Sequence, residues 1–164
     1  PELMELMAGA LQQVGKIEHA VIIHGVGLDE ISPLGKANIL EIKNVAKSGE
    51  KRVYETRTFE FDPLEIGIPR CELIDLKGGG PEENALKFRQ VLLPGTHDDA
   101  RRDAIILNAG VGNYVYGLSS SIEEGCALAR TTLESGKASE LLDQWIEVSQ
   151  DIAKQGTTSG GVTS

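Results

Sequence analysis

Apolar positions at Leu3, Leu6, Met7, Ala10, Leu11 and Val14 recur at helical spacing between Pro1–Glu2 and Gly15. The spacing predicts an amphipathic helix with ordinary start and stop residues. HAVIIHG (19–25) follows without alternation and with β-branched residues, the pattern of a strand buried on both faces, as in a parallel sheet. ANILEIKNV (37–45) and KRVYETRTFEF (51–61) alternate in part around the turn-forming AKSGE, which predicts an antiparallel hairpin that extends the sheet. Prolines 63, 69 and 81 and the Gly78–Gly80 run then interrupt any long element and leave room for one short helix. From Pro81 the pattern is helical to residue 153, in four segments. Ser120 with Glu123, or Ser121 with Glu124, offers a capping box, and Gly117 and Gly136 stand where helix ends favour a left-handed residue. Leu141, Trp145, Val148 and Ile152 form one apolar stripe on the last helix.

These elements predict a single α/β unit over residues 1–155, with one buried parallel strand, an antiparallel hairpin and several C-terminal helices. Residues 156–164 have almost no apolar content and are expected to be a disordered tail. At 164 residues the chain has room for one core, and 40% apolar with 4% aromatic residues fits an α/β or α protein. The net charge of -9 argues against a nucleic-acid surface or an anionic membrane as partner. No apolar run approaches the length of a membrane span. Cys71 and Cys126 have neither metal nor redox spacing, and two cysteines make no disulfide framework.

The chemistry concentrates in HGVGLDEISPLG (24–35), where Asp29 and Glu30 stand side by side between a glycine-rich stretch and Ser32–Pro33. Glycines let backbone and ligand approach closely, and Mg²⁺ is usually held by one or two carboxylates, with water and phosphate oxygens completing its shell. A plain surface turn with Asp29 capping a backbone amide is the competing reading. His24 closes an apolar strand, which suits a core or rim residue better than a ligand, and His19 and His97 fall at element boundaries. KGGGPEENA (77–85) brings glycines to a helix start, a ready anion site, but Glu82 and Glu83 already complement the dipole there and would repel a phosphate. A structural loop is therefore expected. Ala109, Gly110 and Gly112 inside a helical pattern point to close helix packing, with Asn108 as a buried, hydrogen-bonded side chain.

In order along the chain, HGVGLDEISPLG, FDPLEIGIPRC, LKGGGPEENA, RRDAIILNAG, SIEEGCALA and SGKA resemble the C-terminal part of the anthranilate phosphoribosyltransferase family, over residues 1 to about 150. The resemblance implies the phosphoribosyltransferase/nucleoside-phosphorylase type of α/β domain. It implies transfer of phosphoribosyl from phosphoribosyl pyrophosphate to the amine of anthranilate in tryptophan synthesis, with Mg²⁺ on the leaving diphosphate. The family's adjacent acidic pair matches Asp29 and Glu30 as metal ligands; no residue here is matched to a catalytic role. The family's GTGGD loop and its small N-terminal helical domain, which supplies a homodimer contact, are not in this stretch, so residues 1–164 alone are expected neither to catalyse the reaction nor to cover the edge of HAVIIHG. Relatives commonly carry GGD where this chain has Gly80 before Pro81, which implies altered capping of the helix that follows. FDPLEIGIPRC resembles plant and cyanobacterial versions, so a plastid stroma or a bacterial cytoplasm is implied. A pyrimidine nucleoside phosphorylase-like enzyme would share the fold but not GLDEISPLG together with DAIILNA, and the acidic balance opposes a non-catalytic relative that binds nucleic acid.

Overall fold

The computed structural model describes residues 2–96 and 99–158. Helix α1 (Glu2–Val14) leads to strands β1 (His19–His24), β2 (Ala37–Asn44) and β3 (Tyr54–Phe61). A 3₁₀ turn at Pro63–Ile66 follows, then α2 (Leu73–Leu76), α3 (Pro81–Leu92), α4 (Ala100–Tyr116), α5 (Ile122–Glu134) and α6 (Lys137–Thr158). The three strands form one sheet in the order β1-β2-β3, antiparallel throughout.

The hairpin is where the alternation placed it, with Ala37 opposite Phe61 and Asn44 opposite Tyr54. The expectation of a parallel, doubly buried β1 is corrected. The chain doubles back through residues 25–36 without a helix, so His19 pairs with Lys43 and His24 with Asn38 in antiparallel register. A parallel pair needs a long crossover connection, and this short loop provides none. The strand buried on both faces is β2, because it is central; β1 has a neighbour on one side only and is mostly half-buried.

Side chains alternate across β2 and so divide the core. Leu40 and Ile42 face α1 and pack with Met4, Ala8 and Ile22. Ala37 and Ile39 belong to the larger cluster on the other face, with Ile106, Leu107 and Val111 of α4 and Ile122, Cys126 and Ala129 of α5. The sheet is thus a middle layer between α1 and the α4–α5 pair.

Helix boundaries follow local chemistry. Asp99 caps α4 by accepting from Arg101 N at 2.8 Å, and Ser121 caps α5 by accepting from Glu124 N at 3.2 Å. Glu124 returns the contact one residue upstream, accepting from Ser120 N at 3.0 Å, so the box is spread over both serines. Gly117 and Gly136 end α4 and α5 at φ 85° and 79°. Gly80 gives α3 no side-chain cap; the preceding loop is instead held by Asn84, which accepts from Gly79 N and donates to Gly79 O.

Two features of helix α6 bear on the sequence reading. The helix runs on through residues 156–158, the start of the segment assigned to a disordered tail, and residues 159–164 lie outside the described residues. Its stripe of Leu141, Trp145, Val148 and Ile152 faces solvent. Among the described residues no helix is long and apolar enough to cross a membrane.

Candidate functional site

The acidic loop, residues 25–36, owes its shape to three glycines. A Cβ on Gly25 would lie 2.4 Å from the Glu30 carbonyl oxygen, so the loop can fold back on itself only with glycine there. Gly27 is left-handed at φ 71°, and a Cβ on Gly35 would lie 2.6 Å from Val26 Cγ2. Beyond Glu30 the chain dives inward, with Ile31 and Pro33 fully buried. Asn108 of α4 donates from Nδ2 to Ile31 O and to Ala104 O, each at 2.8 Å, so the loop is pinned to the helix directly after the acidic pair. Asn108 is half-buried, and its amide does what the sequence implied. Asn108→Ala is expected to cost about 1–2 kcal/mol, the scale of a lost buried hydrogen bond, and to speed amide exchange at Ile31 and Ser32; unchanged protection there would show that the pin is dispensable.

Asp29 and Glu30 are both exposed, and neither has a hydrogen bond or ion pair among the described residues. Asp29 therefore caps no backbone amide, which removes the plain-turn reading's main support. Two adjacent unpaired carboxylates on a pinned loop are a donor set suited to a hard dication such as Mg²⁺, which takes its remaining oxygens from water and phosphate. No cluster of three or more His, Cys, Asp or Glu suited to a metal occurs among the described residues, so an all-protein cage is not formed here. His24 is exposed at the end of β1 without a polar partner among the described residues, and is not a satisfied core residue. His97 lies outside the described residues.

The other sequence candidates resolve as structure. A Cβ on Gly79 would fall 1.9 Å from Glu83 Oε2, so the glycine run is filled by its own helix's side chains and not shaped for a phosphate. Gly110 lies against Cys126: an added Cβ would be 2.3 Å from its sulfur and 2.7 Å from its backbone nitrogen. Burial pushes the Cys126 thiol up to about 11, which makes it a packing residue rather than a nucleophile.

One constellation escaped the sequence reading. Glu41, 4% exposed in the middle of β2, accepts from Arg57 Nε at 2.7 Å, from the Tyr114 hydroxyl and from His19 Nε2 at 2.9 Å, with Lys43 Nζ at 3.0 Å. Tyr114 also accepts from Lys43 Nζ at 2.7 Å, and its ring meets His19 edge-on at 5.0 Å. Burial pulls the Glu41 carboxyl upward, but the bonds from Tyr114, Lys43, His19 and Arg57 outweigh it and hold it at about 2. The group clamps α4, which carries Asn108, onto the sheet that carries the acidic loop.

A sequence model described as "Glycosyl transferase family, a/b domain" matches residues 1–139, and the chain belongs to that family. Within it the similarity runs to anthranilate phosphoribosyltransferases. That of Shewanella sp. (strain ANA-3) is 37% identical over 151 residues, 92% of this chain and 40% of the relative. The crystal structure of the Thermus thermophilus enzyme superposes with a TM-score of 0.72 at 37% identity, over 90% of this chain and 40% of that one. The Saccharomyces cerevisiae enzyme in complex with PRPP and Mg gives 0.61 at 26% identity, over 77% and 34%. The chain thus spans about 40% of the length of the curated relatives it matches.

Proposed function

We propose that residues 1–155 are the C-terminal portion of the large α/β domain of an anthranilate phosphoribosyltransferase, and that Asp29 and Glu30 are its metal ligands. The single observation that carries the reading is the exposed, unpaired acidic pair on a loop pinned by Asn108, in a chain similar to enzymes of that name. In the reaction the amine nitrogen of anthranilate bonds to the anomeric carbon of phosphoribosyl pyrophosphate while the carbon–oxygen bond to diphosphate breaks, inverting that carbon; the amine gives up its proton. Mg²⁺, when bound, neutralises the charge gathering on the leaving diphosphate.

The chain's own part is presentation of charge. Gly25, Gly27 and Gly35 shape the turn, Ile31 and Pro33 anchor it, and the two carboxylates offer anionic oxygens beside a diphosphate that an acidic protein would otherwise repel. The diphosphate cradle and the homodimer contact are assigned to parts of the protein beyond these residues, since no GTGGD occurs here. Residues 1–164 alone are accordingly expected to show no turnover. A cytoplasmic or plastid-stromal setting goes with the pathway.

In the natural polypeptide that carries these residues, Asp29→Asn and Glu30→Gln are each expected to move the Mg²⁺ concentration for half-maximal activity upward by about tenfold or more, the usual scale for weakening a metal site. Circular dichroism should stay unchanged, because neither side chain holds the fold. A Mg²⁺ dependence identical to the parent in both variants would remove the assignment.

A further inference from the structure

The acidic pair sits at a boundary within its loop. Val26 and Gly27 before it are exposed and Leu28 is half-buried, whereas Ile31, Ser32 and Pro33 after it are buried. Among the described residues, the amide of Asn108 makes the one hydrogen bond that ties any of residues 26–35 to another element, and it lands on Ile31 O, directly past Glu30.

Asparagine is an unfavourable choice for the place it holds. Its side chain competes for backbone groups and makes it a poorer helix former than alanine, yet Asn108 stands in the middle of α4. The same amide nitrogen also donates to Ala104 O, one turn back, at 2.8 Å. Two bonds from one nitrogen fix the side chain's direction, so the Ile31 carbonyl is held at a set point relative to the helix. The helix is itself fixed, by Tyr114 on Glu41 and by the close approach of Gly110 to Cys126.

What a held loop does for a metal follows from the ion. Mg²⁺ demands near-ideal octahedral geometry, whereas the larger Ca²⁺ accepts flexible and variable oxygen shells. Bringing two like-charged carboxylates of a glycine-rich loop onto one small ion costs chain entropy, and a loop already ordered has met that cost before the ion arrives. Groups that orient a ligand without touching the metal change its affinity by about 10–100-fold.

We propose that Asn108 is the positioning residue of the metal site: its bond to Ile31 sets the affinity of Asp29 and Glu30 for a dication and their preference for Mg²⁺ over Ca²⁺. The inference rests on the reading of the acidic pair as metal ligands, and it places no contact between Asn108 and the ion.

The test uses the natural polypeptide with phosphoribosyl pyrophosphate present and the amine withheld, so that nothing turns over. Mn²⁺ is titrated in, bound ion is read from the loss of its free electron paramagnetic resonance signal against a blank without protein, and Mg²⁺ or Ca²⁺ is then added as competitor. Asn108→Ala and the similarly branched Asn108→Leu should each weaken Mn²⁺ and Mg²⁺ binding by about tenfold or more. Ca²⁺ should lose clearly less, so that the preference for Mg²⁺ falls. Ser121→Ala removes the cap of α5, which has no bond to the loop, and lowers stability by another route; it should leave the binding of all three ions unchanged. A matching loss in Ser121→Ala, unchanged Mn²⁺ affinity in both Asn108 variants, or equal losses of Mg²⁺ and Ca²⁺ would each overturn the proposal. Asp29→Asn and Glu30→Gln in the same titration separate the two readings: if they weaken binding and the Asn108 variants do not, the metal site stands and only the role of Asn108 is removed. If they bind as the parent does, the metal site falls and the role of Asn108 falls with it.

Discussion

Glu41→Ala is expected to destabilise the protein by about 3 kcal/mol, near the lower end for breaking a buried ion pair. Removing the carboxylate leaves Lys43, Arg57 and His19 facing one another around Tyr114 with no anion between them. The cost stays at the lower end because Lys43 and Arg57 are 43% and 63% exposed and can turn toward water. Urea unfolding monitored by circular dichroism measures it. A loss below about 1 kcal/mol, the worth of a surface pair, would mean that the cluster is not a clamp.

The same residue fixes a pH signature. The folded-state value of Glu41, about 2, lies below its ordinary 4.5, so the carboxylate binds protons more readily when the chain is unfolded. Its stabilising contribution is therefore fully present above about pH 4.5 and is lost as pH falls toward 2. Glu41→Gln keeps the shape and an acceptor for Tyr114 but cannot titrate, so it should start less stable at neutral pH and lose less between those two values. Parallel stability curves for parent and variant would contradict the assigned cause.

Why this cluster was invisible in the sequence is instructive. Glu41, Lys43 and Arg57 read as the polar positions of an alternating hairpin, which ordinarily face water. Glu41 is buried, with Lys43 and Arg57 drawn to it from the rim, because α4 lays Tyr114 across that face, a contact between residues 73 apart in sequence. By contrast, the helix ends were legible, since a serine cap and a left-handed glycine act within a few residues. The hairpin was legible for the same reason. The direction of β1 was not: an apolar run states that a strand is to be covered, and only the connection after it decides which neighbour runs which way. The stripe on α6 has helical spacing, yet spacing alone cannot supply a surface for it to meet. Asp29 and Glu30 stood out by adjacency next to glycines, and the structure adds their exposure and lack of partners.

The second large effect concerns the crossing of α4 and α5, the most extensive helix contact in the fold. Gly110→Ala is expected to destabilise by about 2–3 kcal/mol, because the added methyl would meet Cys126 backbone atoms at 2.7 and 2.9 Å, and backbone cannot swing aside as a side-chain tip can. Gly125→Ala should act similarly, its Cβ lying 2.2 Å from the Gly110 carbonyl oxygen. Because both changes force the same two helices apart, the double variant should cost less than the sum of the singles. Gly112, two residues along the same helix, is the internal control: an added Cβ meets nothing within 4 Å. There alanine should stabilise, by roughly 0.5–1 kcal/mol, from helix propensity and the less flexible unfolded chain. Thermal or urea unfolding of the three single variants gives opposite signs if interhelical distance is what selects glycine at 110. Equal signs at 110 and 112 would mean that glycine serves the α4 backbone generally, and that the close approach to α5 costs nothing to relax.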